Sequence, residues 1–177
     1  GLGDVYKRQQ ADLATTSDQV TDSMSAMGVG IDDLQGYLDV IVTTNNKANT
    51  TAADLMDAFI GCGGAARAAG MNYKETSTAL GILANNGIKG SEAGTALNSM
   101  LVRISTKDVA QKAFKDLGVA VYDSSGQMRN MRDILVDLNG AMAGMTQEQK
   151  NSYMSAIAGT NYYSQFGCLL YTSDAAD

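Results

Sequence analysis

The sequence predicts an all-α fold, a multi-helix domain of about eight short amphipathic helices with one small β-hairpin near residues 119–129. Apolar residues recur at intervals of three and four along most of the chain, which is the spacing of one helix face. The chain contains no proline, so glycine and asparagine mark the helix ends. With 177 residues, 45% of them hydrophobic and 18% charged, it is long enough and apolar enough to bury one core.

Four predicted helix ends share one pattern, a glycine followed at once by an apolar residue. If each glycine adopts a left-handed conformation just after a helix, the apolar residue that follows folds back on the last helical turn. The glycines are Gly28, Gly70, Gly87 and Gly118, and the predicted contacts are Val29 with Met24, Met71 with Ala66, Ile88 with Leu83 and Val119 with Phe114.

Several helix starts carry a short polar residue three positions before a carboxylate, the pattern of an N-terminal cap. These pairs are Thr51 with Asp54, Asn72 with Glu75, and Asn130 with Asp133. Starts and ends together place helices at 11–27, 31–45, 52–69, 73–86, 91–105, 107–117, 131–143 and 147–158.

The segment from Ala79 to Ile104 reads as two amphipathic helices joined by a glycine elbow. Gly87 is predicted to hold a positive φ and to let Ile88 pack back on the first helix. Gly90 precedes the next helix start at Ser91, where other residues are expected to be tolerated.

Between the helices, residues 119–129 change from a helical period to strand-like alternation. Val119 and Val121 alternate with less apolar residues, and the Asp-Ser-Ser-Gly sequence ending at Gly126 supplies a turn. A small two-stranded hairpin is predicted, with Val119 and Met128 as its anchors on the helices.

The predicted helix 52–69 combines a glycine cluster, 61–64, with a face of small side chains. The cluster lacks the Gly-Lys-Ser/Thr ending of a phosphate loop, so it is interpreted as a bendable spot in the helix. The small face allows a close neighbour and consists of Ala58, Cys62, Ala65, Ala66 and Ala69. Cys62 is expected to be an inert packing residue. Methionines such as Met24, Met27, Met56, Met100, Met142 and Met145 are interpreted as core rather than as a ligand groove.

The sequence predicts no catalytic, cofactor-binding or metal-binding residue and therefore no enzyme. It contains no histidine, the commonest general base and metal ligand. The pairs Asp32-Asp33 and Asp54-Asp57 are interpreted as helix-start acids. The cations Arg103, Lys107, Arg129 and Arg132 are expected to form either a solvated face or a patch that contacts another chain.

The net charge of −6 argues against direct nucleic-acid binding, for which clustered lysine and arginine are needed. No apolar run approaches the length of a membrane span, about 20 residues. Two cysteines, one close to the C-terminus, give no plausible disulfide.

Three stretches carry a resemblance to a known family: LGILANNGIKGSEAGTALNSMLVR, FKDLGVAVYDSSGQMRNMRDILVDL and IAGT. In this order they resemble the core region of phage tail tape measure proteins, from about residue 23 to 159. The resemblance implies a structural protein that sets tail length and supports tail-tube assembly and genome ejection. It also implies tail-tube and tail-assembly chaperone partners, self-association, and a place in the virion tail after assembly in the bacterial host cytoplasm.

Both ends of the chain look foreign to the helical pattern. Residues 1–9 and 168–177 resemble translated sequencing-library adapter, which leaves 10–167 as the helical core region of a fragment. The alternative is that Leu169, Leu170 and Tyr171 are a genuine apolar tail that docks on the core. Two other functions stay open, a tail-associated cell-wall-degrading module and a helical binding module unrelated to phage.

Overall fold

The computed structural model describes residues 1–172, and the side chains of Tyr6 and of residues 8–15 fall outside that description. Within residues 1–172 the chain forms nine α-helices and a short 3₁₀ helix at Ile31–Asp33, which confirms the all-α prediction. The helices are α1 (Leu2–Met27), α2 (Leu34–Lys47), α3 (Ala52–Ala68), α4 (Tyr73–Asn85), α5 (Gly90–Thr106), α6 (Asp108–Asp116), α7 (Met131–Met142), α8 (Gln147–Ala158) and α9 (Tyr163–Thr172).

Helices α1, α3 and α5 lie side by side and run in the same direction. Their contacts advance in step along each pair of helices. The contacting residues are Gln19 with Asp57 and Ala26 with Gly63 for α1 and α3, then Asp54 with Gly90 and Ala58 with Gly94 for α3 and α5. This parallel layer contains the closest helix packing in the described part of the chain.

Helices α2 and α4 form a second parallel pair against this layer. Hydrogen bonds join the two helices and the residues next to them at three places along their length. The bonds run from Tyr73 to Asp33 at 2.8 Å, between Thr44 and Ser77 at 2.6 Å, and from Asn49 to Asn85 at 2.8 Å. Both α2 and α4 also pack against α3, so this pair and the parallel layer are joined through that helix.

Tyr37 on α2 is fully buried where the two layers meet. Its hydroxyl donates a 2.7 Å hydrogen bond to Ser23 of α1, and its ring lies 5.7 Å from that of Phe59 and 5.8 Å from that of Tyr73. Burial raises the pKa of Tyr37 to about 12, against the smaller lowering effect of the Ser23 hydrogen bond. The phenol therefore stays neutral and acts as a packing residue with a satisfied polar end.

All four predicted glycine stops are confirmed. The φ angles are +66° at Gly28, +75° at Gly70, +85° at Gly87 and +70° at Gly118. In each case the amide of the following apolar residue donates to the carbonyl five positions earlier, the defining bond of the Schellman motif. These bonds join Val29 to Met24, Met71 to Ala66, Ile88 to Leu83 and Val119 to Phe114 at 2.9–3.0 Å.

The expectation for Gly90 is wrong. Gly90 is the first residue of α5, and its φ is +58°, so it also holds a left-handed conformation. A Cβ there would lie 3.4 Å from a carboxylate oxygen of Asp54. The elbow therefore contains two left-handed glycines, Gly87 and Gly90, rather than one.

Helix starts agree in part with the sequence patterns. Thr51 accepts from the amide of Asp54, and Asn72 forms a reciprocal capping box with Glu75. Asn130, however, accepts from the amide of Arg132 instead of Asp133, while its side-chain amide donates to Glu75 of α4. This bond connects the first turns of α4 and α7.

The predicted β-hairpin is not present in the described residues, where 119–129 is a loop with a single antiparallel bridge between Tyr122 and Met128. The side chain of Asp123 accepts three hydrogen bonds within the turn, and these lower the pKa of its carboxyl group. The hydrogen bonds to Asp123 therefore hold the loop in shape, although too few residues pair to form strands. Val119 is buried and Met128 partly buried, as predicted, and Val121 is a further buried anchor.

The prediction that the two ends stand outside the helical pattern is wrong for the described residues. Helix α1 begins at Leu2, although the described side chains of residues 1–9 are exposed. Helix α9 extends to Thr172, and Leu169 and Leu170 are buried against the core, as in the alternative of a docked apolar tail, whereas Tyr171 is 47% exposed. The foreign origin of these segments, and 10–167 as the core region, stay predictions; residues 173–177 lie outside the described residues.

Candidate functional site

The most constrained part of the molecule is the contact of α3 with its two parallel neighbours, which we call the glycine seam (Gly61, Gly63 and Gly94). A Cβ built at Gly94 would lie 2.5 Å from the carbonyl oxygen of Ala58 on α3. One at Gly63 would lie 2.6 Å from the backbone of Ala26 on α1, and one at Gly61 would lie 3.4 Å from the backbone of Gly94. Backbone therefore contacts backbone on two sides of α3.

This packing corrects the interpretation of residues 61–64 as a bendable spot. Helix α3 runs without interruption from Ala52 to Ala68, so the glycines do not break it. Gly61 faces α5, Gly63 faces α1, and only Gly64 of the three has open space where a Cβ would be. The cost of glycine in a helix is offset by the close approach of two neighbours. The prediction that the small face of this helix admits a close neighbour is confirmed.

Cys62 lies inside the glycine seam and is fully buried. Burial raises the pKa of its thiol to about 12, so the thiolate is not formed near neutral pH. Cys62 and Cys168 are both free thiols. The structure thus places Cys62 as a packing residue of the core, as predicted.

Asp33 and Asp57, one from each acidic pair of the sequence, accept hydrogen bonds from different helices. Asp33 stands at the N-cap position of α2, but its carboxylate accepts the hydroxyl of Tyr73 instead of capping the helix. Asp54 lies in the first turn of α3, as its helix-start interpretation predicts, while Asp57 accepts from Gln19 of α1 at 2.7 Å. Asp33 and Asp57 therefore connect helices, while Asp54 lies at a helix start.

Three of the four predicted patch cations can be placed at different positions in the fold, and two of them make described side-chain contacts. Arg129 donates to the carbonyl of Ala120 at 2.8 Å and forms a 2.8 Å salt bridge with Asp137 of α7, which fixes the 119–129 loop. Lys107 stands at the boundary of α5 and α6. Arg103 is partly buried and its guanidinium contacts the end of α8.

Arg103 was singled out by sequence only as part of a surface patch, yet it joins two of the family-like motifs. Its Nη2 donates to the carbonyl of Ala156 at 3.1 Å and its Nε to that of Ile157 at 3.3 Å. These are last-turn carbonyls of α8, which have no partner within the helix. Gly159 follows directly, with φ +88° and ψ 156°. No sequence spacing signals this contact, because its partners lie more than 50 residues apart.

A groove of about 410 Å³ lies between α4, α7 and α9. Its floor is mostly apolar, with Met71, Ile82, Met131 and Leu135 among its lining residues, and Glu75 is the one described acid on it. Glu75 already accepts from the backbone amide of Asn72 and the side chain of Asn130. The groove therefore offers apolar surface rather than a reactive group.

Over the described residues, no group of three or more histidine, cysteine, aspartate or glutamate side chains is placed to hold a metal ion. In the same part of the chain every buried side-chain nitrogen and oxygen has a hydrogen-bond partner. None of the helices in residues 1–172 combines the length and apolar character needed to cross a membrane. The methionines interpreted as core lie in or on the core: Met24, Met27, Met56, Met100 and Met142 are buried, and Met145 is partly buried against the core cluster.

Comparison with known proteins points to one family. Residues 6–159, which run from within α1 to just after α8, match the family model described as phage-related minor tail protein. The chain is 32% identical over 171 residues to a tape measure protein of Pneumococcus phage Dp-1, covering 96% of this chain and 15% of that protein. It is 30% identical over 138 residues to a probable tape measure protein of Escherichia phage P2, covering 76% of this chain and 17% of that protein.

The chain thus spans about one sixth of the length of these relatives. No solved structure matches it. Neither the cell-wall-degrading module nor the unrelated binding module is favoured by these matches.

Proposed function

Because the chain belongs to the family of phage tail tape measure proteins, we propose that it is a helical structural module of a longer protein that sets tail length and supports tail-tube assembly and genome ejection. The observation that carries the proposal is the family match across residues 6–159, which covers the parallel layer of α1, α3 and α5 and every helix to α8.

The glycine seam supports a structural role, since its glycines allow the closest contacts between helix backbones in the described residues. Gly63 and Gly94 admit no side chain without moving a neighbouring backbone. Such positions define one arrangement of α1, α3 and α5 and leave little freedom to repack. A rigid module of this kind suits a protein that sets the length of a phage tail.

The proposal assigns no enzymatic activity to this chain. Histidine is absent from the sequence, Asp33, Asp57 and Glu75 are engaged in helix-to-helix hydrogen bonds, and the thiol of Cys62 is buried. Purified protein is expected to release no soluble fragments from peptidoglycan. Measurable turnover that a single Asp or Glu substitution abolished would contradict this part of the proposal.

The proposed partners are tail-tube and tail-assembly chaperone proteins, with self-association in the longer protein and no direct nucleic-acid binding by this chain. The proposed location is the virion tail, assembled in the bacterial host cytoplasm. Exposed apolar side chains on the parallel layer, Ile60 on α3 and Val102 on α5, each 42–43% exposed, give such partners apolar contact area.

A segment replacement in a phage tests the proposal. The matching segment of the Pneumococcus phage Dp-1 tape measure protein is exchanged for residues 10–159 of this chain, and tails are counted and measured by electron microscopy. Tails of normal length in infectious particles are expected. An in-frame deletion of the segment and an exchange carrying Gly94→Val, which cannot pack, serve as controls. Tails indistinguishable among all three phages would show that the segment has no structural role.

A further inference from the structure

Helix α9 covers an apolar surface made by α4, α7 and α8. Phe166, Leu169 and Leu170 are each at most 2% exposed. Leu169 borders the same groove as Ile82 of α4 and Leu135 of α7, so the groove is the uncovered edge of this surface. With α9 removed, the whole surface would face solvent.

A short segment connects α9 to the rest of the molecule, and it begins at Gly159. The φ of +88° and ψ of 156° place Gly159 in a region of backbone conformation that only glycine adopts readily. Its amide still donates to Ser155 at 2.8 Å, and its carbonyl accepts from Tyr162 at 3.1 Å, one residue before α9 starts. The conformation of this one residue therefore sets the direction in which the chain leaves α8.

Arg103 of α5 holds this exit in place. Its two donated bonds satisfy last-turn carbonyls of α8, and its positive charge lies at the negative end of the helix dipole. Its side chain also fills the space beside Gly159, where a Cβ would lie 3.1 Å from Nε. Arg103 is thus fixed beside Gly159, the residue at which the chain turns towards α9.

We propose that Arg103 and Gly159 form a latch that holds α9 closed over the apolar surface of α4, α7 and α8. Arg103 is a positioning residue, which acts on α9 through the end of α8. When the latch is broken, α9 opens as a unit and exposes that surface, while α1 to α8 stay folded on the glycine seam. Opening of this kind is a local transition, with a free energy below that of global unfolding. The latch rests on the fold alone and stands whether or not the chain acts in tail assembly.

Native-state hydrogen exchange of the full chain, read by mass spectrometry, tests the latch. In Arg103→Gln we expect amides of α9 to exchange about tenfold faster or more, because charge-assisted bonds are lost, while amides of α3 keep their wild-type rates. Arg103→Lys keeps the charge and should lie closer to wild type. Gly159→Ala should open α9 as well, through backbone strain and the contact with Arg103.

Gly140→Ala is the matched control, since Gly140 is exposed on α7 and has no atom within 4 Å of a new Cβ. It should leave α9 exchange unchanged. Equal acceleration of α3 and α9 in Arg103→Gln and Gly159→Ala would identify general destabilisation and overturn the latch. Unchanged α9 exchange in both variants would overturn it too.

Discussion

Substitution of Gly94 by alanine probes the glycine seam at its tightest point. The added Cβ would lie 2.5 Å from the carbonyl oxygen of Ala58 and 3.0 Å from its Cα, whereas ordinary contact begins at 3.4 Å. Because both atoms are backbone, no side chain can rotate away, and α3 and α5 must separate by about 0.9 Å, the shortfall between these distances. Overpacking of this kind costs about 1–3 kcal/mol, and a backbone clash belongs at the upper end. Alanine recovers about 0.5–1 kcal/mol of helix propensity, so the net loss is about 2 kcal/mol.

Gly64→Ala is the matched control, because Gly64 lies in α3, is exposed and has open space for a Cβ. It should stabilise the protein by about 0.5–1 kcal/mol. Urea denaturation followed by circular dichroism gives both free energies of unfolding. Gly94→Ala as stable as Gly64→Ala would mean that α3 and α5 do not approach as closely as the structure has them.

Three further predictions concern the thiol, α9 and the elbow. Cys62, with a pKa of about 12, should resist alkylation at pH 8 until the protein unfolds; equal labelling rates with and without urea, read by peptide mass spectrometry, would contradict its burial. Leu170→Ala should cost about 2–5 kcal/mol in denaturation, because Leu170 is fully buried, whereas Leu2→Ala at a 91% exposed site should cost almost nothing. If both leave stability unchanged, the end of α9 does not dock. Gly87→Val should cost about 1–3 kcal/mol and Gly90→Ala about 1 kcal/mol, since both glycines hold positive φ. A neutral Gly90→Ala in thermal melts would argue against its left-handed conformation.

Features set by neighbouring residues could be predicted from sequence. The glycine stops at Gly28, Gly70, Gly87 and Gly118 were confirmed because a Schellman motif depends on about six consecutive residues. The cap at Thr51 was confirmed for the same reason. The small face of α3 could also be predicted from local sequence, but the identity of the helices that pack on it could not.

Features set by tertiary contact could not be predicted. The glycine cluster 61–64 has the same local sequence whether it bends a helix or admits two neighbours, and only the positions of α1 and α5 decide between them. The parallel order of α1, α3 and α5 follows from contacts between residues more than 30 positions apart. The contact of Arg103 with the end of α8 and the burial of Leu170 also depend on residues that are distant in the sequence.

The 119–129 loop shows a limit of periodicity. Alternating apolar residues predicted two strands, but one bridge forms, and Val119 belongs to the helix stop at Gly118 instead. Side-chain hydrogen bonds to Asp123 and the clamp of Arg129 hold the loop without a ladder. In a segment this short, the turn residues therefore predict the local structure better than the alternation of apolar residues does.

The parallel arrangement of α1 and α3, on which the glycine seam depends, can be measured by a pair of electron-spin distances. Spin labels are placed at the exposed positions Asp18 of α1 and Ile60 of α3, and in a second protein at Asp18 and Ala68, with Cys168 replaced by serine and the buried Cys62 retained. Eight residues along α3 correspond to about 12 Å of helix rise. Because α1 and α3 run in the same direction, the distance from Asp18 to Ala68 should clearly exceed that to Ile60. A shorter distance to Ala68 would mean that the two helices are antiparallel and would overturn the fold on which the glycine seam depends.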